Sequence, residues 1–154
     1  MIIAATAGQW TSDLLRGLAQ YLADAGIGVV YSSTVPYQPW DTGVFFKALP
    51  TGPDRAVAVT AYSAIDEPKI SLTSVRVQFW FRGKVNDSLD VDDLGDAVFS
   101  AVQGLEHRQF GTAHVVQALR VSSIQLGADG SKRSERSDNY QLDVNPPTTP
   151  GRPE

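Results

Sequence analysis

The stretch SLTSVRVQFWFR, residues 71–82, indicates a β-strand that is apolar on one side only. Side chains of a strand point alternately to its two faces, so alternating apolar and polar residues separate a core face from a second face. The second face is either solvated or meets a partner. Leu72, Val75, Val77, Phe79 and Phe81 mostly lie on the core face, and the second face carries Arg76, Gln78, Trp80 and Arg82.

Two segments with helical periodicity lie on either side of this strand and supply the other half of a core. Their apolar residues recur at spacings of three and four, which places them in one stripe on each helix. Thr11 or Ser12 is expected to cap the first helix, and Gly26 to end it. We expect both stripes to be buried against the sheet. They consist of Leu14, Leu15, Leu18, Tyr21, Leu22 and Ala25 in the first helix, and of Val91, Leu94, Val98, Ala101, Val102 and Leu105 in the second.

Five shorter runs complete the predicted sheet. They cover residues 27–31, 44–49, 56–62, 115–125 and 139–144, and most are rich in β-branched or aromatic residues. The predicted order is α-β-β-β-β-α-β-β. Because short turns join successive strands, we predict an α+β fold with a mostly antiparallel sheet of about five or six strands and two packed helices.

The chain is predicted to form one domain followed by a tail. Residues 1–145 form a single α+β domain, which is long enough to bury a sizeable core without disulfides. Residues 146–154 contain four of the nine prolines. Because proline cannot join the interior of a sheet, this Pro-rich segment should be an extended C-terminal tail.

Composition excludes several classes of protein. The absence of cysteine rules out disulfides, thiolate metal sites and thiol catalysis. A formal net charge of −4 argues against a general nucleic-acid-binding face, although a local basic patch is compatible with it. No run approaches the roughly 20 apolar residues of a membrane helix, and the N-terminus lacks the pattern of a signal peptide. We therefore expect a soluble protein without a membrane contact.

Residue types that carry chemistry are present, but their spacing does not form a site. One acidic cluster could suggest a calcium loop, but such a loop needs oxygen ligands at alternating positions, and Leu94 occupies one of these positions. The favoured interpretation is that the acidic residues lie at the start of a helix, where the helix dipole stabilises negative charge. His107 and His114 have no nucleophile or orienting acid at an informative spacing. We expect no catalytic residue, no metal site and no cofactor. The acidic cluster in question comprises Asp87, Asp90, Asp92, Asp93 and Asp96.

Five residues are candidates for a subunit or partner interface. Residues 127–137 form a polar arm that is expected to be mobile in a free subunit, and its cations could meet an acidic neighbour or DNA. A solvated hairpin tip is the alternative, and it is slightly favoured. Two tryptophans lie outside the predicted core, where aromatic residues are enriched at interfaces, although the chain could equally cover them itself. The five candidates are Trp40, Trp80, Lys132, Arg133 and Arg136.

Several patterns, spread over residues 14–144, carry a resemblance to a known family. They are LLRGLA at 14–19 leading to the turn at 26–28, AID at 64–66, VRVQFWFRG at 75–83 and RSDNYQLDV at 136–144. Taken together, the chain resembles the small tail-terminator proteins of long-tailed phages, also described as minor capsid proteins.

The resemblance implies a structural virion protein made in the cytoplasm of the host bacterium. Such proteins form a ring, commonly a hexamer, which caps the tail tube at its head-proximal end, stops elongation and offers a surface for head–tail joining. The implied partners are other copies, the tail tube protein and the head–tail connector protein, with DNA close by in the lumen. A head-completion or neck protein remains an alternative, as does a small-molecule-binding or hydrolytic α+β domain. The resemblance carries over no catalytic residue.

Overall fold

The computed structural model describes residues 8–148, and it consists of two helices and six strands. The predicted tail beyond residue 148 lies outside the described residues, as does the N-terminal segment 1–7. In chain order the elements are α1 (Trp10–Asp24), β1 (Gly43–Phe46), β2 (Ala56–Asp66), β3 (Thr73–Val85), α2 (Asp90–Val102), β4 (Glu106–Phe110), β5 (Ala113–Ala128) and β6 (Arg133–Asn145).

The six strands form one sheet in the order β1-β2-β3-β6-β5-β4. Only β1 and β2 are parallel, and the other neighbouring pairs are antiparallel. Strands β3 and β6 are the two central strands, because each has long partners on both sides. This arrangement confirms the predicted α+β class and the mostly antiparallel six-stranded sheet with two helices.

Both helices pack on the same face of the sheet. In the register between β2 and β3, Val57 lies opposite Phe81 and Val59 opposite Phe79, and all four belong to one buried cluster with the helices. The alternation in residues 71–82 therefore places Val75, Val77, Phe79 and Phe81 in the core as predicted, whereas Leu72 lies outside the buried cluster and Arg82 is itself buried. The stripe positions Leu18, Leu22, Val98 and Val102 are fully buried, which confirms the predicted helix faces.

The boundaries of α1 differ from the prediction at one end only. The helix begins at Trp10, and neither Thr11 nor Ser12 caps it; Gln9 occupies the N-cap position without a side-chain hydrogen bond. At the other end, Gly26 has a φ of 72°, the left-handed conformation expected of a residue that follows a helix.

Two short strand assignments require correction. Residues 27–31 contribute a single parallel bridge, from Val30 to Gly43, because Gly28 has a positive φ and the prolines that follow prevent a longer ladder. The sequence prediction missed β4, whose residues are exposed except for Phe110. Polar residues on an edge strand give no alternation that could reveal it. Strand β2 also continues to Asp66, beyond its predicted end.

Residues 127–137 form part of a β-hairpin, the alternative that the sequence slightly favoured, and not a separate polar arm. Strands β5 and β6 continue to Ala128 and from Arg133, so only a tight turn joins them. The Asp129 side chain accepts hydrogen bonds from the amides of Ser131 and Arg133, both at 2.9 Å. These local bonds define the turn, and Asp129-Gly130 is a recognisable turn sequence that the prediction did not use.

Candidate functional site

Arg136 lies at the centre of a buried charge cluster between β6 and α2. Its guanidinium donates to both carboxylate oxygens of Asp138, at 2.9 and 3.0 Å, and to Asp96 at 3.1 Å and Asp92 at 3.3 Å. The arginine is 4% exposed and Asp138 is fully buried. Gly95 makes room for it, since a Cβ at that position would stand 2.7 Å from the Arg136 Cζ.

The electrostatics of this cluster favour a permanently charged arginine. Burial by itself would lower the pKa of Arg136, but the hydrogen bonds and charge of Asp138, together with those of Asp96, raise its pKa above the ordinary value. Beside the cluster, burial raises the pKa of Tyr140, whose hydroxyl has no hydrogen-bond partner within residues 8–148. The cluster therefore ties α2 to the sheet.

A second pair of arginines holds the turn at residues 50–54. Arg82 donates to the carbonyls of Pro50, Pro53 and Asp54 at 2.7–2.8 Å. Arg133 donates to the carbonyl of Thr51 at 2.7 Å and to the Asp54 carboxylate at 3.0 Å. Burial lowers the pKa of Arg82, and the positive charge of Arg133 lowers it further. Both side chains act inside the chain, fixing a turn against the β5–β6 hairpin.

The remaining three interface candidates are exposed. Lys132 lies at the tip of the β5–β6 hairpin with a φ of 63°. Trp40 is 79% exposed on the turn at residues 38–41, and Trp80 is 38% exposed on the helix-free face of β3. The indole nitrogen of Trp80 donates to Glu135 at 2.8 Å. The structure does not bring the five candidates into one patch, because two are buried and Trp40 lies on a separate loop.

The helix-free face of the sheet carries a ladder of polar side chains. Gln78 donates to the Ser137 hydroxyl at 2.9 Å, and Asn139 donates to the Ser122 hydroxyl at 3.0 Å. No helix among residues 8–148 covers this face. It is the second face that the alternation in β3 predicts, and Trp80 is its large aromatic residue.

The sheet also has two open edges. Strand β4 pairs with β5 only as far as Gln117, and the Arg120 amide donates to the Gln103 side chain. From residue 121 to 128, no strand within residues 8–148 pairs with the outer edge of β5. On the opposite side of the sheet, β1 pairs with β2 only at residues 56–59, so in the described part of the chain residues 60–65 pair with β3 but have no strand on their outer edge. Exposed apolar side chains border both edges: Tyr62 and Ile65 on β2, and Leu119, Val121, Ile124 and Leu126 on β5.

The acidic residues and histidines form smaller groups of their own. Asp90 pairs with Arg55 at 2.9 Å and accepts a hydrogen bond from the Lys84 amide. His107 and His114 lie together on the β4–β5 hairpin, where the Nδ1 of His107 is 3.4 Å from the Nε2 of His114. Within residues 8–148, no three His, Cys, Asp or Glu side chains are grouped so that they could hold a metal ion. No helix in that range is long and apolar enough to span a membrane.

The sheet has helices on one face only, and its buried arginines bind groups of the same chain. Both features are typical of a small structural domain. A family model described as bacteriophage tail terminator protein matches residues 21–146, and the chain belongs to this family. The resemblance seen in the sequence is thereby confirmed, and the protein is a structural protein of a phage tail. No curated protein sequence matches the chain.

Among solved structures, the chain is similar to one from a structure titled "Virion of native gene transfer agent (GTA) particle". The TM-score is 0.59 at 11% sequence identity, and the match covers 88% of this chain and 96% of the other. At this identity the likeness shows a shared fold. The likeness extends over nearly the whole of both chains.

Proposed function

We propose that this protein forms a closed ring of six copies that caps the tail tube at its head-proximal end. The ring ends tube elongation and then presents a surface for joining the head through the connector protein. Its partners are further copies of itself, the tube protein and the connector. The protein is made in the cytoplasm of the host bacterium and becomes part of the virion.

The observation that carries the proposal is the pair of open edges on β5 and β2. An unpaired edge presents a row of backbone donors and acceptors, and monomeric proteins usually protect such edges. Here both edges are bordered by exposed apolar side chains. Adding the edge of one copy to the edge of the next would continue the hydrogen-bond ladder between subunits.

The position of the two edges favours a ring over a two-fold dimer. They lie on opposite sides of the sheet and belong to different strands, so a contact between them is heterologous: one patch meets a different patch on the next copy. Repeated head-to-tail contacts of this kind close into a ring when the rotation between copies allows it.

The exposed interface candidates suit the contacts that a ring makes with other proteins. Lys132 lies at the tip of the hairpin that carries the open edge of β5, Trp80 lies on the helix-free face of β3, and Trp40 lies on a separate loop. We propose these three as contacts to a neighbouring subunit, the tube or the connector. Lys132 would approach DNA if the hairpin faces the lumen. Arg133 and Arg136 contribute by holding the hairpin in place.

Electron microscopy of phage tails tests the proposal. In a phage that lacks the gene, we expect tails of uneven and excessive length that do not join heads. Complementation with the Ile124→Lys variant should reproduce this defect, because a charge on the β5 edge opposes strand addition. Val35→Lys is the matched control, since Val35 is also exposed but lies on the loop after α1.

Two measurements separate an assembly defect from a folding defect. Both variants should keep the thermal unfolding midpoint of the parent protein, because each changes an exposed side chain. Tails of normal length in the deletion phage would refute the capping role. A folded Ile124→Lys protein that restores normal tails would refute the β5 edge as the subunit contact.

A further inference from the structure

An aromatic groove opens between the loop after α1 and the turn at residues 50–54. It has a volume of about 540 Å³, within the usual range for a binding site. Tyr37 and Phe45 line it, with ring centroids 5.0 Å apart in an edge-to-face arrangement. Pro36, Pro39 and Pro53 line it as well.

The walls of the groove are held in place by hydrogen bonds. The Tyr37 hydroxyl donates to the Val44 carbonyl at 2.7 Å and accepts a bond from the Ser32 amide at 3.2 Å. The opposite wall is the turn that Arg82 and Arg133 fix through its carbonyls. A groove that is already formed loses little conformational freedom when a ligand binds.

The chemistry of this groove suits a proline-rich segment in the polyproline II conformation. Grooves lined by aromatic rings recognise such segments, since an extended proline-rich chain has little entropy to lose. The groove also carries one negative charge at its rim, the Asp54 carboxylate, which is 54% exposed despite its ion pair with Arg133. A ligand with prolines and a nearby cation therefore complements it.

We propose that the groove binds the C-terminal segment of a neighbouring copy of this chain, residues 146–154, PPTTPGRPE. This segment contains four prolines and the cation Arg152, which would pair with Asp54. The proposal rests on the ring proposed above, because the neighbouring copy must stand beside the groove. It adds a second contact between subunits, distinct from the open edges of the sheet.

Distances favour a neighbour over the same chain. The groove lies at the start of β6, next to Arg133, whereas the tail leaves from its far end at Asn145. The 13 residues of β6 span about 40 Å at ~3.3 Å per residue. Residues 146–154 in a polyproline II conformation extend about 28 Å at ~3.1 Å per residue. The tail is therefore too short to return along the sheet and occupy the groove of its own chain.

The test is a titration of the isotope-labelled full-length protein with a synthetic peptide of residues 145–154, followed by nuclear magnetic resonance. We expect chemical-shift changes centred on Tyr37, Phe45 and Asp54. Gln38→Arg, at the groove, should weaken binding by about tenfold, since it places a cation where Arg152 docks. Gln20→Arg is the matched control on the exposed side of α1, and it should bind like the parent. A peptide carrying Pro147→Ala and Pro150→Ala should bind about tenfold more weakly.

Each contrary outcome has a defined meaning. Shifts outside the groove, or no shifts at all, would overturn the proposal. Equal affinities of the Gln38→Arg and parent proteins would overturn it as well, and both variants expose the change to solvent, so misfolding does not confuse the comparison. The peptide titration uses free subunits, so a negative result would refute binding to the groove without testing ring formation. Normal tails in the deletion phage would refute the proposed ring without testing binding to the groove.

Discussion

Replacing Arg136 by methionine would remove the cation from the cluster that joins β6 to α2. Methionine keeps much of the volume of the arginine stem, so the change acts mainly through charge and hydrogen bonding. Asp138, which receives two hydrogen bonds from Arg136, is fully buried and would lose its closest cation. The other two carboxylates, on Asp92 and Asp96, are partly or largely exposed and can be solvated instead.

The expected loss follows from what remains around Asp138. Removing one partner of a buried ion pair typically costs about 3–5 kcal/mol, because a buried charge is left uncompensated. Here Ser123 still donates to Asp138 at 2.6 Å, and Arg120 stands 3.5 Å away. These two contacts place the loss at the lower end, about 3 kcal/mol. For a domain of this size, that corresponds to a decrease of roughly 6–12 °C in the unfolding midpoint.

Urea denaturation followed by circular dichroism measures this loss directly. Lys132→Met is the matched control on the same hairpin, and since Lys132 is exposed its unfolding free energy should change by less than about 0.5 kcal/mol. Adding Asp138→Leu to Arg136→Met should recover most of the stability, because an apolar replacement leaves no uncompensated charge. If Arg136→Met alone loses under about 1 kcal/mol, the cluster does not stabilise the fold in the way argued.

Three further changes test other parts of the structure by the same unfolding measurement. Tyr140→Phe should leave the free energy of unfolding unchanged or raise it, because the buried hydroxyl has no described partner; a loss above about 1 kcal/mol would reveal one. Lys132→Gly should stabilise the hairpin by up to about 1 kcal/mol, since glycine adopts a positive φ without strain, and a decrease would argue against this turn. Hydrogen bonds from Thr112 lower the pKa of Asp13 in the folded protein. The stabilisation that they provide is therefore fully present above the pKa of an unfolded aspartate, about 3.9, and is lost as the pH falls through the lower pKa of the folded state. Asp13→Asn should reduce this dependence of stability on acid, and a pH profile identical to that of the parent would contradict the argument.

The sequence predicts the fold well wherever one face of an element is buried and the other is not. From Thr73 to Trp80, strand β3 alternates between buried residues and more exposed polar or aromatic ones, and the helix stripes repeat every three or four residues. Burial imposes these periods on the sequence, so they can be recovered from it. Strand β4 and the Val30 bridge impose no such period, since they lie at the margins of the sheet and bury little. Their absence from the prediction has that physical cause.

The interface candidates show a different limit. Arg133 and Arg136 were predicted to be candidates for contact with an acidic neighbour or DNA, but the structure buries both and pairs them inside the chain. The two-residue period of β6 could nevertheless have predicted the burial of Arg136. Arg136, Asp138 and Tyr140 follow one another at intervals of two residues, which places all three on the core face. What the sequence could not provide is the carboxylates that surround Arg136, because Asp92 and Asp96 come from a helix 40 or more residues away.

The groove and the buried arginines are connected by the turn at residues 50–54. Arg82 and Arg133 bind that turn from the sheet side, and the turn presents Pro53 and Asp54 to the groove on its other side. The hairpin that carries Arg133 also forms the open edge of β5 through Ala128. One set of internal hydrogen bonds therefore positions two separate surfaces, the edge and the groove. In the ring proposed above, the contacts between subunits need fixed angles, and the buried cations would help to set these angles by holding both surfaces in place.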